Sequence, residues 1–330
     1  MSAKLQAVRS ASFSEIPVID LSDFQRPYGE AARKVAGDIV SACENAGFFY
    51  VSHHGIPEES IASLLAAARD FFALPLEEKE RISLVDSPQF RGYLPLDSVG
   101  YDTRRWQGNK NESFAVQLED AQSLHPLSGP NQWPVRPAGF RATVMAAYDR
   151  FDALARRLIN AFSIGLGYQE DALDRFYRHP LTQLRLLHYP PQQGELTLAN
   201  LGIAPHSDTG AFTILYQDDV GGLEVLNREN EWVMAPPIPG TLVINIGDML
   251  KWWTNGRFSS TPHRVVNRYG RERYSIPFFV NPDFDAVIAP LAGCVDADHP
   301  ARFETVHAGE FILDRFRQVW PSRAAGDARA

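Results

Sequence analysis

A histidine, an aspartate and a second, distant histidine are the residues of this chain whose types and spacing can do chemistry. His206-Ser-Asp208 places an imidazole and a carboxylate two positions apart, and His263 follows after several further strand-like segments. Side chains at i and i+2 of an extended segment point to the same side, so His206 and Asp208 can reach one point. A third ligand from a distant strand would complete one face of an octahedron. Two imidazoles and one carboxylate leave three positions open, which suits Fe(II) with a chelating co-substrate and dioxygen. The same ligand types also suit Zn(II), so a zinc hydrolase is a rival on ligand chemistry alone. His-x-Asp is a common accident in a chain with nine histidines, and a second pair adds weight. Arg273 and Ser275, again two apart on a predicted strand, present a guanidinium fork and a hydroxyl on one face. That arrangement can hold a carboxylate by charge-assisted hydrogen bonds.

These residues must be positioned by a scaffold that changes character along the chain. Ile16-Pro-Val-Ile-Asp-Leu reads as a short strand. Val35, Ile39 and Cys43 recur at helical spacing between Ala31 and Ala46, with Gly47 where a helix ends, and Phe48-Phe-Tyr-Val reads as a buried strand. Pro57-Glu-Glu opens a second helix whose apolar face is Ile61, Leu64, Leu65 and Ala68. Residues 88–139 read as short strands and loops. Val144, Tyr148, Phe151, Leu154, Leu158 and Phe162 mark a long amphipathic helix. From Leu184 the pattern turns to closely spaced strands: Leu184–Tyr189, Ile203–Asp208, Phe212–Gln217, Gly222–Leu226, Trp232–Ala235, Thr241–Ile246, His263–Asn267 and Tyr274–Val280. Such spacing predicts a sandwich or barrel. Glu304–Trp320 is predicted as a closing helix, with a disordered tail from Pro321. The expected division is an N-terminal region at 16–134, connecting helices at 135–180, a catalytic core at 181–290 and a C-terminal helix at 300–320, all in one compact unit.

Composition narrows the class. The 330 residues have ordinary apolar and charged fractions, and the formal net charge is -8, so no positive field attracts nucleic acid or an anionic membrane. The two cysteines, Cys43 and Cys294, are far apart and suggest neither a disulfide framework nor a thiolate metal cluster, which fits a reducing cytoplasm. No apolar run is long enough to span a bilayer; the longest, Leu242–Trp253, is interrupted by Asn245, Asp248 and Lys251. The first fourteen residues lack the apolar core of a secretory signal and are poorer in arginine than a transit peptide.

Taken together, Ile16-Pro-Val-Ile-Asp-Leu-Ser, Gly47-Phe-Phe-Tyr-Val-Ser-His-His-Gly-Ile-Pro, Phe90-Arg-Gly-Tyr, His188-Tyr-Pro-Pro, Pro205-His-Ser-Asp-Thr-Gly, Gly221-Gly-Leu-Glu-Val, Asn245-Ile-Gly-Asp, Thr261-Pro-His-Arg-Val-Val-Asn and Arg273-Tyr-Ser-Ile-Pro-Phe-Phe resemble the isopenicillin N synthase-like family of Fe(II) and 2-oxoglutarate-dependent oxygenases. The resemblance covers roughly residues 16–320. It implies a mainly β fold, a double-stranded β-helix or jelly roll flanked by helices, with iron bound between its two sheets by His206, Asp208 and His263. It implies that Arg273 and Ser275 bind the far carboxylate of 2-oxoglutarate with help from Tyr189, and that O2 is consumed, with ascorbate as a candidate reductant. The implied reaction oxidises an unactivated C–H bond of a small molecule, hydroxylation being the default, and releases succinate and carbon dioxide. Many plant members carry Asn two residues before the tyrosine; here that position is Leu187.

Three rivals stand beside this reading: the zinc hydrolase, an oxidase of the isopenicillin N synthase type that uses no 2-oxoglutarate, and a metal-dependent sensor without turnover. The tail Ala324-Ala-Gly-Asp-Ala-Arg-Ala lacks the glutamine that the synthase places near its iron, which favours the 2-oxoglutarate reading. No nucleic-acid or membrane partner is expected, and the chain is expected to be a monomer or weak oligomer. His53 and His54 read as turn residues, His125, His179, His299 and His307 as surface or capping residues, and His188 as a core histidine beside Tyr189. Trp252, Trp253, Phe212, Phe278 and Phe279 are candidates for an apolar pocket, though strand aromatics are more often core. Gly221-Gly222, with no following helix or lysine, reads as a hairpin turn.

Overall fold

The computed structural model describes residues 15–98, 109–119, 124–192 and 194–319, together with 5 and 8–12 near the start. Much of the leader, Trp320 and the tail from Pro321 lie outside the described residues.

The first part of the chain alternates short strands and helices: β1 (Val18–Asp20), α1 (Glu30–Asn45), β2 (Phe48–Ser52), α2 (Glu58–Phe72), α3 (Leu76–Glu80), β3 (Gly92–Leu94) and β4 (Glu112–Gln117). The long amphipathic helix is α4 (Phe140–Gly165), which packs on α1 and α2. Its Tyr148 and Phe151 rest on Phe278, with ring centroids 5.2 and 5.7 Å apart. Burying an aromatic of this size contributes about 1.5–3 kcal/mol, which ties the helical layer to the sheet.

Eight consecutive strands follow: β5 (Gln183–Tyr189), β6 (Ile203–His206), β7 (Phe212–Gln217), β8 (Leu223–Leu226), β9 (Trp232–Met234), β10 (Leu242–Ile246), β11 (His263–Val265) and β12 (Arg273–Val280). They divide between two sheets, in the orders β10-β7-β12-β5 and β6-β11-β8-β9, and every pairing among them is antiparallel. This is a double-stranded β-helix. The first sheet is extended to eight strands by β2 and β1 on one side and β4 and β3 on the other, so strands from the first part of the chain continue the sheet that carries Arg273. Only β1 and β2 pair in parallel within it.

Several expectations change in detail. The expected strand at Thr241–Ile246 is β10, and a short helix that was not expected, α5 (Asp248–Trp253), follows it directly after an extended Gly247. The closing helix is α6 (Ala308–Val319), preceded by a two-stranded ribbon of β13 (Val287–Ile288) and β14 (Val306–His307). Gly221-Gly222 is not a hairpin turn: it carries the chain from β7 in the large sheet to β8 in the small one. At Gly222, where φ is +95°, a Cβ would stand 2.6 Å from the Val266 carbonyl oxygen, so only glycine lets the start of β8 lie alongside the end of β11. Among the described residues, no helix is long and apolar enough to cross a membrane.

Candidate metal centre

β6 is an edge strand of the small sheet, which is why Pro205 is tolerated inside it. Its last residue, His206, pairs directly with His263, the first residue of β11. Asp208 lies two residues past the strand end, where the chain has left regular structure yet still brings the carboxylate to the histidines. The three side chains form a cluster whose potential ligand atoms all lie within 4.8 Å of one another. Asp208 Oδ1 is 3.6 Å from His206 Nε2 and 3.7 Å from His263 Nε2.

The outer atoms of each side chain are held by partners that leave the inner atoms for a metal. His206 Nδ1 is 2.9 Å from the Ala204 carbonyl oxygen, and His263 Nδ1 is 3.2 Å from that of Thr261. A carbonyl only accepts, so the proton belongs on Nδ1 and Nε2 keeps its lone pair. Asp208 Oδ2 accepts from Thr213 Oγ1 at 2.5 Å and from Asn245 Nδ2 at 2.7 Å. Burial, followed by the charge of His263, pushes the His206 imidazolium down to about 4, against the pull of Asp208, so the ring is neutral at pH 7. Burial alone would raise Asp208, but the two histidines and the bonds from Thr213 and Asn245 outweigh it and hold the carboxyl below its usual value. Neutral imidazoles and an ionised carboxylate are the forms that bind a metal. The cluster therefore fits a divalent ion in geometry, and His206 and Asp208 fit it in protonation as well.

The second cluster lies on β12 and β5, where Arg273 pairs with Tyr189 and Ser275 with Leu187. Arg273 is only 1% exposed. Its Nε donates to the Gly221 carbonyl, its Nη1 donates to Ser275 Oγ at 3.2 Å, and its guanidinium lies 4.5 Å from the Tyr189 ring centroid. Ser275 Oγ donates to the Tyr189 hydroxyl at 3.4 Å. Among the described residues no carboxylate pairs with Arg273. The nearby Asp218 is raised by burial and spends its oxygens on the backbone N–H groups of Tyr274 and Val220. A buried guanidinium bonded only to neutral oxygens fits a ligand that brings its own carboxylate.

Residues 183, 185, 187 and 189 share one face of β5, and residues 273, 275, 277 and 279 share one face of β12. Arg273, Ser275 and Tyr189 occupy one end of these two faces. A cavity of about 180 Å³ occupies the other, lined by Gln183, Arg185, Leu187 and Phe279 and reaching His206 and Asp208. Ile312, Arg315 and Phe316 of α6 close one wall. Of the aromatic candidates only Phe279 lines this cavity. Trp253, Phe212 and Phe278 are core, and Trp252 packs on Phe303 and Phe311. His188 is a core histidine: Nδ1 is 2.8 Å from Glu112 Oε1, and the ring stacks on Tyr274. His53 and His54 sit in turns, bonded to Asp20 and to the Ile56 N–H.

Sequence reasoning did not single out Thr213, Asn245, Arg185 or Arg315. Asn245 stands in a motif whose spacing says nothing of its partner, and the other three act through contacts that no local pattern encodes.

The sequence model of the 2OG-Fe(II) oxygenase superfamily matches residues 180–282, and that of the non-haem dioxygenase in morphine synthesis N-terminal region matches residues 16–136. The chain is 34% identical over 316 residues to the 2-oxoglutarate-Fe(II) type oxidoreductase hxnY of Emericella nidulans, covering 92% of this chain and 90% of that protein. It is 33% identical over 300 residues to a homoarginine-6-hydroxylase of Glycine max, covering 86% and 90%. A full-length Neurospora crassa protein solved in complex with alpha-KG superposes with a TM-score of 0.83 at 28% identity, covering 94% of this chain and 99% of that one.

Proposed function

Because the chain belongs to the 2OG-Fe(II) oxygenase superfamily, we propose that His206, Asp208 and His263 are its iron ligands and that Arg273, Ser275 and Tyr189 receive the far carboxylate of 2-oxoglutarate. The protein is an Fe(II)- and 2-oxoglutarate-dependent dioxygenase acting on a small molecule. When bound, iron would activate O2 as the oxidant, with 2-oxoglutarate giving up two electrons as it becomes succinate and carbon dioxide and the substrate giving up the other two.

The chain's own residues bind, orient and shield. His206 and His263 present lone pairs fixed by backbone carbonyls, and Asp208 presents one oxygen while Thr213 and Asn245 hold the other, which leaves one face of the metal to ligands from outside. Arg273 anchors one end of the co-substrate by a fork that Gly221 and Ser275 keep from rotating. Leu187 and Ile203 make the wall between the two clusters apolar, which limits water there. Phe279, Ile312 and Phe316 offer apolar surface to a substrate, while Gln183 and Arg185 offer donors to its polar atoms. We read the chain as a single unit, since β2 sits between β1 and β10 and β4 lies against β5.

The observation that carries the residue assignment is the convergence of two Nε2 atoms and one Asp208 oxygen with their outer atoms already bonded. An anaerobic titration tests it. Fe(II) followed by 2-oxoglutarate should produce a metal-to-ligand charge-transfer band at one equivalent of each. The band should be absent from the His206→Ala, Asp208→Ala and His263→Ala variants. A band of full intensity in those variants would overturn the assignment.

A further inference from the structure

The strand pairing that brings His206 and His263 together stops at that pair. Beyond it no backbone hydrogen bond among the described residues joins residues 207–208 to residues 260–262, and the Pro262 carbonyl faces away from β6, accepting from the Leu226 N–H of β8 at 2.9 Å. Asp208 lies on the unpaired side of that limit, as does the 259–262 segment that delivers His263.

Asp248, the first residue of α5, spans the gap. One of its carboxylate oxygens accepts from Ser207 Oγ at 3.0 Å, and the other accepts from Ser260 Oγ at 2.6 Å. Its N–H donates to the Asp208 carbonyl at 2.7 Å, and the Met249 N–H donates to the Thr209 and Gly210 carbonyls at 3.2 and 3.1 Å. The approach is close: a Cβ on Gly247 would lie 2.2 Å from the Gly210 oxygen. Three residues earlier on β10, Asn245 already grips the Asp208 carboxylate.

We propose that Asp248 is a positioning residue that staples the His206–Asp208 segment to the His263 segment and so sets the spacing of the three ligand atoms. This rests on the metal assignment above and adds a group that touches neither metal nor substrate. Each carboxylate oxygen serves one arm, so the side chain links the two segments where the β6–β11 pairing has ended. A staple predicts a different response to substitution from that of a distant negative charge attracting the ion. In Asp248→Asn the charge is gone, but the amide oxygen can accept from one serine and its NH2 can donate to the other, because a hydroxyl does both. In Asp248→Ala both links are lost.

The test uses Co(II) as a redox-quiet probe, with its Kd and d–d absorption measured on the folded full-length chain and a urea midpoint recorded in parallel. Asp248→Ala should weaken Co(II) binding by about 10- to 100-fold and alter the d–d bands, the size seen when groups supporting metal ligands are removed. Asp248→Asn should stay within about three-fold of the parent protein, a change worth less than about 0.7 kcal/mol. The Ser207→Ala, Ser260→Ala double variant, which keeps the carboxylate, should reproduce the Asp248→Ala loss and decides the matter if that variant does not fold. A parent-like Kd and spectrum in the double variant, or in folded Asp248→Ala, would overturn the staple. So would an Asp248→Asn loss equal to that of alanine, which would make charge the cause. Parent protein that takes up no Co(II) would overturn the metal assignment and this proposal with it.

Discussion

His206 and His263 face each other across the last rung of the β6–β11 ladder, their ring centroids 4.2 Å apart and their planes inclined at 51°. Two imidazoles whose Nε2 atoms converge gain nothing from each other when neutral, and they repel when protonated. Their convergence on Asp208 Oδ1, 3.6 and 3.7 Å away, is the arrangement the proposed iron ligation requires. Replacing either histidine or Asp208 by alanine is expected to remove stoichiometric Fe(II) binding while the far-UV circular dichroism stays that of the parent, because the ladder is made by backbone groups. Anaerobic equilibrium dialysis measures the first and a spectrum the second.

Arg273→Ala is expected to weaken 2-oxoglutarate binding by about 2–5 kcal/mol, the range for truncating one partner of a buried, hydrogen-bonded charge pair. Ser275→Ala should cost less, since the serine contributes a neutral bond. The anaerobic charge-transfer titration gives both dissociation constants, and an unchanged value for Arg273→Ala would remove the arginine from the co-substrate site.

Asn245→Ala should lower Fe(II) affinity by about 10- to 100-fold without removing a ligand, because it frees the outer oxygen of Asp208 to rotate. Thr213→Val should act in the same direction, and the pair should be less than additive since both hold one atom, Asp208 Oδ2. A double-mutant cycle on the metal dissociation constant measures this.

Lys79 and Glu112 form an ion pair in which each side chain is only 7% exposed, and Tyr93 and His188 bond to the same carboxylate. Burial would raise Glu112, but the bonds from His188, Lys79 and Tyr93 outweigh it and leave the carboxyl below its ordinary 4.5. A depressed carboxylate contributes stability that is complete above its unfolded value and is lost as pH falls through the folded one, so the loss begins below about pH 4.5. Glu112→Ala should cost about 3–5 kcal/mol near neutrality by stranding Lys79. Glu112→Gln should flatten the dependence of the urea midpoint on pH below 4.5, where the parent curve should fall steeply.

Periodicity carried much of the fold. The three-residue and four-residue spacings of α1, α2 and α4 are read directly from Val35, Ile39, Leu64, Leu65, Val144 and Phe151, because each of those helices buries one face. The strands from β5 onward were legible as strands, but their division between two sheets was not. Whether Gly221-Gly222 closes a hairpin or crosses between layers depends on what stands opposite, and that is Val266, 44 residues away from Gly222. The candidate pairs His206/Asp208 and Arg273/Ser275 stood out because each obeys a local spacing, whereas His263 and Tyr189 have none and joined them through the wider run of motifs. Asn245 and Asp248 were invisible as partners for the opposite reason, since each bonds a residue brought near only by the finished fold, while Thr213 bonds Asp208 across a short irregular connection that has no sequence signature. Asp208 was placed correctly beside His206 by strand alternation even though the strand ends before it.

The shared faces of β5 and β12 act as a ruler. Ser275 and Phe279 are four residues apart on one continuous strand, which fixes about 13 Å between the co-substrate anchor and the far wall of the cavity. A hydrogen-bonded strand with neighbours on both sides does not stretch, so loop motion cannot lengthen that interval. Among the described residues, the frame adapts to molecules of different length through the side chains that end the ruler, Phe279 and Gln183, or through a shift of α6, the helix that lines the cavity.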